Sequence, residues 1–187
     1  KSLKKFSFIK NEKFIQEVLW RVYWKGWMEL RPKVWSDFLN DLNEIKLKYK
    51  NNENYLNAIN GKTNIDCFNH WVDELKNYNY LHNHTRMWFA SIWIFTLELP
   101  WQLGAEFFMK HLFDGDSASN TLGWRWVAGI QTKGKHYIAQ EWNIKKFSFI
   151  KSEKFIQEVR WRVYWKGWME LRRKVWTDFL NDLNEIK

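Results

Sequence analysis

Three charged side chains sit where charge is costly. Arg86, Asp114 and Asp116 fall within residues 82–126, a stretch made mainly of apolar and aromatic helical sequence. Charges in such surroundings require partners, and the planar fork of an arginine suits a carboxylate bidentately. The acidic turn DGDSASN at 114–120 leads directly into Trp124 and Trp126. A second constellation lies near the start of the chain. Glu17, Trp20, Arg21, Trp24 and Met28 recur at i, i+3, i+4, i+7 and i+11 and so share one helical face. A purely structural face rarely carries Glu and Arg among its aromatics, so this one reads as lining a site. The chain has 15 Trp in 187 residues. So many indoles serve a planar ligand, an electron path or stacking on bases; the alternative is an aromatic-rich core.

Several other chemistries are disfavoured. The single cysteine, Cys67, excludes an internal disulfide and a cysteine-cluster metal site. It reads as a small buried residue in a reducing, cytoplasmic setting. His82 and His84 are two apart and do not share a helix face, so they make a poor metal pair. Ser117 and Ser119 lack a His/Asp triad. There is no P-loop or Rossmann glycine pattern. The longest apolar run, 87–97, is too short to span a bilayer.

The elements that must position these side chains read as helix and loop throughout, an all-α chain. The first helix carries the Glu17 face, with Leu19 off it and exposed. Pro32 opens a second helix, with Val34, Trp35, Phe38, Leu42 and Ile45 as its core stripe. Residues 47–64 read as a surface loop with a short helix around 55–59. Residues 66–77 have helical spacing, with Phe68, Trp71, Val72 and Leu75 facing in. A helix is expected over 83–98 and another from Pro100 to Leu112. Residues 116–120 read as a turn or cap, followed by a helix through 126–131.

Residues 4–46 recur at 145–187 with four differences: Asn11/Ser152, Leu19/Arg160, Pro32/Arg173 and Ser36/Thr177. The expected organisation is therefore a domain at 1–144 and a partial second copy at 145–187. The net charge of +9 is concentrated in these copies. Residues 4–46 hold nine Lys/Arg against six Asp/Glu, and residues 145–187 hold eleven against six. The middle, 47–144, has nine of each. Basic charge interleaved with aromatics suits nucleic acid; the alternative is a solvated lysine face. The second copy repeats the site face as Glu158, Trp161 and Arg162. An undocked Trp-rich helix would be an exposed apolar patch, so self-association, including domain swapping into a homo-oligomer, is expected.

Five separated motifs, FIQEVLWR, NGKT, LHNHTRMWFAS, LPWQLGAEFF and DGDSASNTLGWRWVAG, occur in this order between residues 12 and 144. Together they resemble the C-terminal helical FAD-binding domain of the DNA photolyase/cryptochrome family, with wording closest to bacterial photolyase-like proteins. The resemblance implies FAD held between helices. It places Arg21, Asn83, Arg86, Asp114, Asp116 and Asn120 at the cofactor, with Asp114 paired to Arg86. Asn120 matches the residue beside flavin N5. Asn cannot donate a proton as a carboxylic acid does, which favours a site that keeps the flavin reduced and anionic. Trp124 and Trp101 match the first two members of the family's electron relay, and Tyr49 lies near the place of the third. Glu17 and Trp20 match the carboxylate and stacking aromatic that meet a flipped pyrimidine dimer, with Met87 and Trp126 completing the walls.

The resemblance implies light-driven repair of cyclobutane pyrimidine dimers in UV-damaged DNA, with no membrane partner. Two other readings are a cryptochrome-like blue-light sensor without repair and a truncated remnant that no longer binds FAD. The sequence departs from the family pattern in places. The α/β antenna domain is not among these residues, and the Ser/Thr-rich loop that cradles the FAD phosphates would precede Lys1. The turn at 61–64 reads Gly-Lys-Thr-Asn in place of Gly-Lys-Thr-Gly, and Asn69–His70 stands where Asp–Ala is common. Lys145, Lys146 and Ser148 are candidates for substitute phosphate contacts.

Overall fold

The structure is a computed structural model and describes residues 12–132, 135–140 and 142–144. The second copy, with Glu158, Trp161, Arg162 and the candidate phosphate contacts, lies outside the described residues. The expected domain swapping falls on those same residues. Seven helices follow in order: α1 (Glu12–Glu29), α2 (Pro32–Tyr49), α3 (Glu53–Ile59), α4 (Asp66–Tyr78), α5 (Asn83–Ser91), α6 (Trp101–His111) and α7 (Ser117–Val127). No strand occurs among the described residues, as the helical periodicity predicts.

Local chemistry accounts for the helix ends. Pro32 opens α2, where its missing N–H costs nothing, and Lys46 and Lys48 sit in its last turn against the helix dipole. The Asn52 side chain caps α3 by accepting from the Tyr55 N–H at 2.9 Å. His82 caps α5 through Nδ1, and Asp116 caps α7. α4 stops at Asn79, which takes the left-handed conformation at φ 57°.

Three boundaries differ from the sequence expectation. α2 runs on through Tyr49, so the loop that follows it is shorter than expected. The helix expected over 83–98 leaves α geometry at Ile92 and closes in a π-turn over Ile92–Thr96, where the Leu97 N–H reaches the Ile92 carbonyl at 2.9 Å. One extra residue in that turn shifts every later side chain around the axis, an effect that hydrophobic spacing does not reveal. Finally, α7 starts at Ser117 and ends at Val127, while 128–132 are turn. Of the two readings of 116–120, a turn or a cap, the structure has the cap at Asp116, with the helix starting at Ser117.

The main core joins α4, α5, the π-turn and α6. Trp88, Phe89, Trp93, Phe68 and Leu103 are fully buried there, as are Trp71, Val72 and Leu75 of the predicted α4 stripe. Burying one such side chain contributes about 1.5–3 kcal/mol. A smaller cluster of Met28, Ala118 and Leu122 ties α1 to α7, with Trp24, Trp27, Val34 and Trp35 packed on it. The first half of α1 has fewer neighbours: Ile15, Val18, Leu19 and Val22 are exposed, as expected for Leu19. Among the described residues no helix is long and apolar enough to cross a membrane.

Asn79 also links distant elements. Its Nδ2 donates to the His111 carbonyl at 2.9 Å, and its own carbonyl accepts from the Phe113 N–H at 3.0 Å. It therefore holds the end of α6 and the approach to Asp114. Asn79→Ala loses one hydrogen bond and an αL-tolerant residue, so a destabilisation of about 2 kcal/mol is expected. Urea unfolding tests this, and a change below about 0.5 kcal/mol, the level of an ordinary surface substitution, would refute it.

Candidate functional site

A cleft of about 720 Å³ opens between α1, α5, the end of α6 and α7. That volume is within the range of small-molecule and cofactor sites. Glu17, Trp20, Arg21, Asn83, Arg86 and Met87 line it from the α1 and α5 sides. Asp114, Asp116, Asn120, Trp124 and Trp126 line the other side. Of the residues singled out for the site in the sequence, Trp101, Tyr49 and Met28 lie away from the cleft walls; Met28 faces the core cluster shared with α7. Among the described residues no group of three or more His, Cys, Asp and Glu side chains is placed to hold a metal ion.

Each wall has an identifiable support. Arg86 donates from Nε to the Leu81 carbonyl at 2.7 Å and from Nη2 to both Asp114 oxygens at 3.0 Å. Tyr80 lies under its guanidinium at 5.2 Å. The pair is partly exposed, so it stands at the rim of the cleft and not in the apolar core that the sequence implied. α5 carries Arg86 outward while its opposite face buries Trp88 and Phe89.

Asp116 accepts from the Ser119 N–H at 2.8 Å and pairs with Lys25 at 3.3 Å. Burial alone would raise its pKa, but hydrogen bonding from Ser119 and the nearby Lys25 ammonium hold it below the ordinary carboxylate value. A depressed carboxylate pKa contributes stability above its unfolded value, and that contribution is lost as pH falls through the lower folded value. Asp116→Ala is therefore expected to cost about 1 kcal/mol near neutrality, the typical worth of a cap. The difference from the parent chain should begin to shrink on acidification below the ordinary value of 3.8 and vanish once the pH has passed the lower folded value. Unfolding free energies measured across acid pH check this; a constant difference down to the acid limit would refute it.

Asn120 donates from Nδ2 to the Ala105 carbonyl at 2.8 Å. A carbonyl only accepts, so the orientation of the amide is set by chemistry. Trp124 is buried next to it, with its Nε1 unpartnered among the described residues. Trp124 lies across Gly104: a Cβ built there would meet its Cη2 at 2.3 Å and its Cζ3 at 2.4 Å. Trp126 stacks on Tyr137 at 5.5 Å. Trp20 is 55% exposed at the cleft mouth, edge-on to Tyr23 and Trp24.

Some contributors were not evident in the sequence. Trp27 and Phe108 line the cleft, and Lys25 reaches Asp116 across helices. The series Trp20, Trp24, Trp27 at i, i+4 and i+7 was a usable signal for the first of these. Lys25 carried no comparable signal, because its partner is set by the packing of α1 on α7. The 61–64 turn is closed by Asn69, whose Oδ1 accepts from the Thr63 N–H and hydroxyl while its Nδ2 donates to the Thr63 carbonyl. Asn69 thus fills its position with a full set of bonds.

Fold and cleft together define an all-helical ligand-binding domain with indole walls, a rim ion pair and a positioned amide. The family model described as the FAD binding domain of DNA photolyase matches residues 14–169. The chain belongs to that family, whose cofactor is FAD. It is 32% identical over 126 residues to the deoxyribodipyrimidine photo-lyase of Buchnera aphidicola subsp. Baizongia pistaciae, covering 67% of this chain and 26% of that protein. It is 34% identical over 138 residues to the mitochondrial deoxyribodipyrimidine photo-lyase of Saccharomyces cerevisiae, covering 73% and 24%. The Neurospora crassa deoxyribodipyrimidine photo-lyase is 28% identical over 179 residues, covering 94% and 26%. The chain spans about a quarter of the length of these relatives. No solved structure matches it.

The site's own features fit a flavin. The walls are flat and aromatic, a guanidinium stands at the rim, and the buried Trp124 Nε1 finds no acceptor within the described chain.

Proposed function

We propose that this chain is the flavin-holding catalytic portion of a deoxyribodipyrimidine photolyase acting on cyclobutane pyrimidine dimers in UV-damaged DNA. The observation that carries the reading is the sharing of one cleft. Glu17 and Trp20 stand at its mouth, while Asn120, Trp124 and the Arg86–Asp114 pair stand on the same walls. FAD, when bound, supplies a light-driven electron to the lesion and receives it back.

The protein's residues do the remaining work. Arg86, oriented by Leu81 and Asp114, presents fixed positive charge that favours a reduced, anionic ring. Arg21, Asn83 and Asp116 contribute polar contacts to the same cofactor. Asn120, held by Ala105, offers an amide and no acidic proton. Trp20, Met87 and Trp126 replace the stacking that a flipped dimer loses, and Glu17 accepts a hydrogen bond from its bases. Trp124 and Trp101 serve electron supply to the flavin. The lone buried Cys67 is consistent with a reducing compartment such as the cytoplasm.

The test has two stages. The first is a visible absorption spectrum after adding FAD and removing the excess. The second is light-dependent repair of an oligonucleotide containing one thymine dimer. A structured flavin band followed by repair is the expected result. A bound flavin without repair would replace this reading with that of a light sensor. No bound flavin would replace it with that of a remnant.

A further inference from the structure

The ring contacts of Trp124 lead inward. It meets Phe108 at 5.1 Å, Trp93 at 6.2 Å and Phe89 at 6.4 Å, each edge to face. Trp101 is not among these contacts; it stacks on Phe38 at 5.3 Å, which in turn meets Trp35. A phenyl ring is far harder to oxidise than an indole or a phenol, so the Phe38 contact does not carry a hopping electron onward. Trp93, by contrast, has a second oxidisable neighbour, Tyr55, at 6.1 Å and again edge to face. Tyr55 lies in the first turn of α3 and is half-buried, so this path ends at the protein surface.

We infer that Trp124, Trp93 and Tyr55 form an electron route from the cleft to the surface, distinct from the one through Trp101. The inference rests on the reading of the cleft as a flavin site. Trp93 is 0% exposed, and its Nε1 donates to the Pro100 carbonyl at 2.9 Å. That bond fixes the indole and stabilises positive charge on it when it is oxidised. Desolvation, with the Glu106 carboxylate nearby, raises the pKa of the Tyr55 phenol, so it stays protonated until it is oxidised.

The step balances as follows. Trp124 gives one electron to the photoexcited cofactor and takes one from Trp93, which takes one from Tyr55. The phenol O–H bond then releases its proton to water at the partly exposed ring. A thiol reductant in solution returns one electron and one proton to the resulting phenoxyl and is itself oxidised.

The experiment is laser-flash absorption with electron paramagnetic resonance on the FAD-loaded chain, in the parent, Tyr55→Phe, Trp93→Phe and Trp101→Phe forms. The flavin band is recorded before any light is given. A phenoxyl signal is expected in the parent, lost in Tyr55→Phe and in Trp93→Phe. Its persistence in Tyr55→Phe, its absence from the flavin-loaded parent, or its loss in Trp101→Phe would overturn the route. Tyr55→Phe removes only a hydroxyl, so it decides the matter even if Trp93→Phe fails to fold. A parent chain that binds no FAD overturns the cleft reading, and the route with it, before illumination.

Discussion

Replacing Glu17 with Gln and Trp20 with Ala together should abolish dimer repair while leaving the flavin band in place. Trp20 is more than half exposed at the cleft mouth, and Glu17 is exposed on the same face. Neither side chain supports the core, so the effect on folding should stay within about 0.5 kcal/mol, as for other surface sites. Their cost falls on the substrate. Stacking of a base on an aromatic contributes about 1–3 kcal/mol, and a hydrogen bond to a charged group about 1.5–3 kcal/mol. The double variant should therefore weaken dimer binding by about two to four powers of ten. Titration with a dimer-containing oligonucleotide measures the binding, and product formation under light measures the repair. Undiminished repair with the flavin bound would mean either that Glu158 and Trp161 of the second copy supply this face or that the lesion binds elsewhere.

The second large effect is expected from a single methyl group. In Gly104→Ala the new Cβ would lie 2.3 Å from a Trp124 ring atom. The clash is with a rigid, buried indole, so either the ring moves or α6 and α7 separate. Overpacking of this kind costs about 1–3 kcal/mol and occasionally more. For a chain of this size that is a fall of roughly 2–12 °C in Tm. The damage should extend to the site, because Trp124 is a cleft wall and the adjacent Ala105 carbonyl holds Asn120. FAD affinity should fall along with stability. Gly26→Ala provides the contrast. A Cβ at Gly26 in α1 meets nothing within 4 Å, and exchanging Gly for Ala in a helix adds about 0.5–1 kcal/mol. Calorimetry on the two variants should give shifts of opposite sign. A Gly104→Ala chain as stable as the parent, with its FAD affinity intact, would show that Trp124 does not pack as described.

Electrostatics acts here mainly at the cleft edge. The Arg86–Asp114 and Lys25–Asp116 pairs are partly solvated, and such pairs contribute little to folding. Their value lies in placement: both tie the acidic turn to a neighbouring helix, one to α5 and the other to α1. On the proposed reading of the cleft, a guanidinium already positioned by Leu81 and Asp114 would need no reorganisation to meet an anionic ring.

The sequence by itself determined what depends on neighbours along the chain. Pro32 and the spacing of Phe68, Trp71, Val72 and Leu75 announce their helices, because i, i+3 and i+4 relations are local properties of a 3.6-residue period. The Glu17–Trp20–Arg21–Trp24 face was legible for the same reason, and the separated motifs carried the family. Tertiary structure decided what depends on how the helices cross. It set the Arg86–Asp114 pair at the rim, since depth is fixed by packing and not by the apolar character of flanking residues. It gave Asp116 a partner, Lys25, on a helix 91 positions earlier in the chain. It placed the ring of Trp124 edge to face with Trp93 at 6.2 Å, with the bare Gly104 backbone letting the Trp124 indole lie across α6. Those outcomes arise from the close approach of elements distant in sequence, and no local period encodes them.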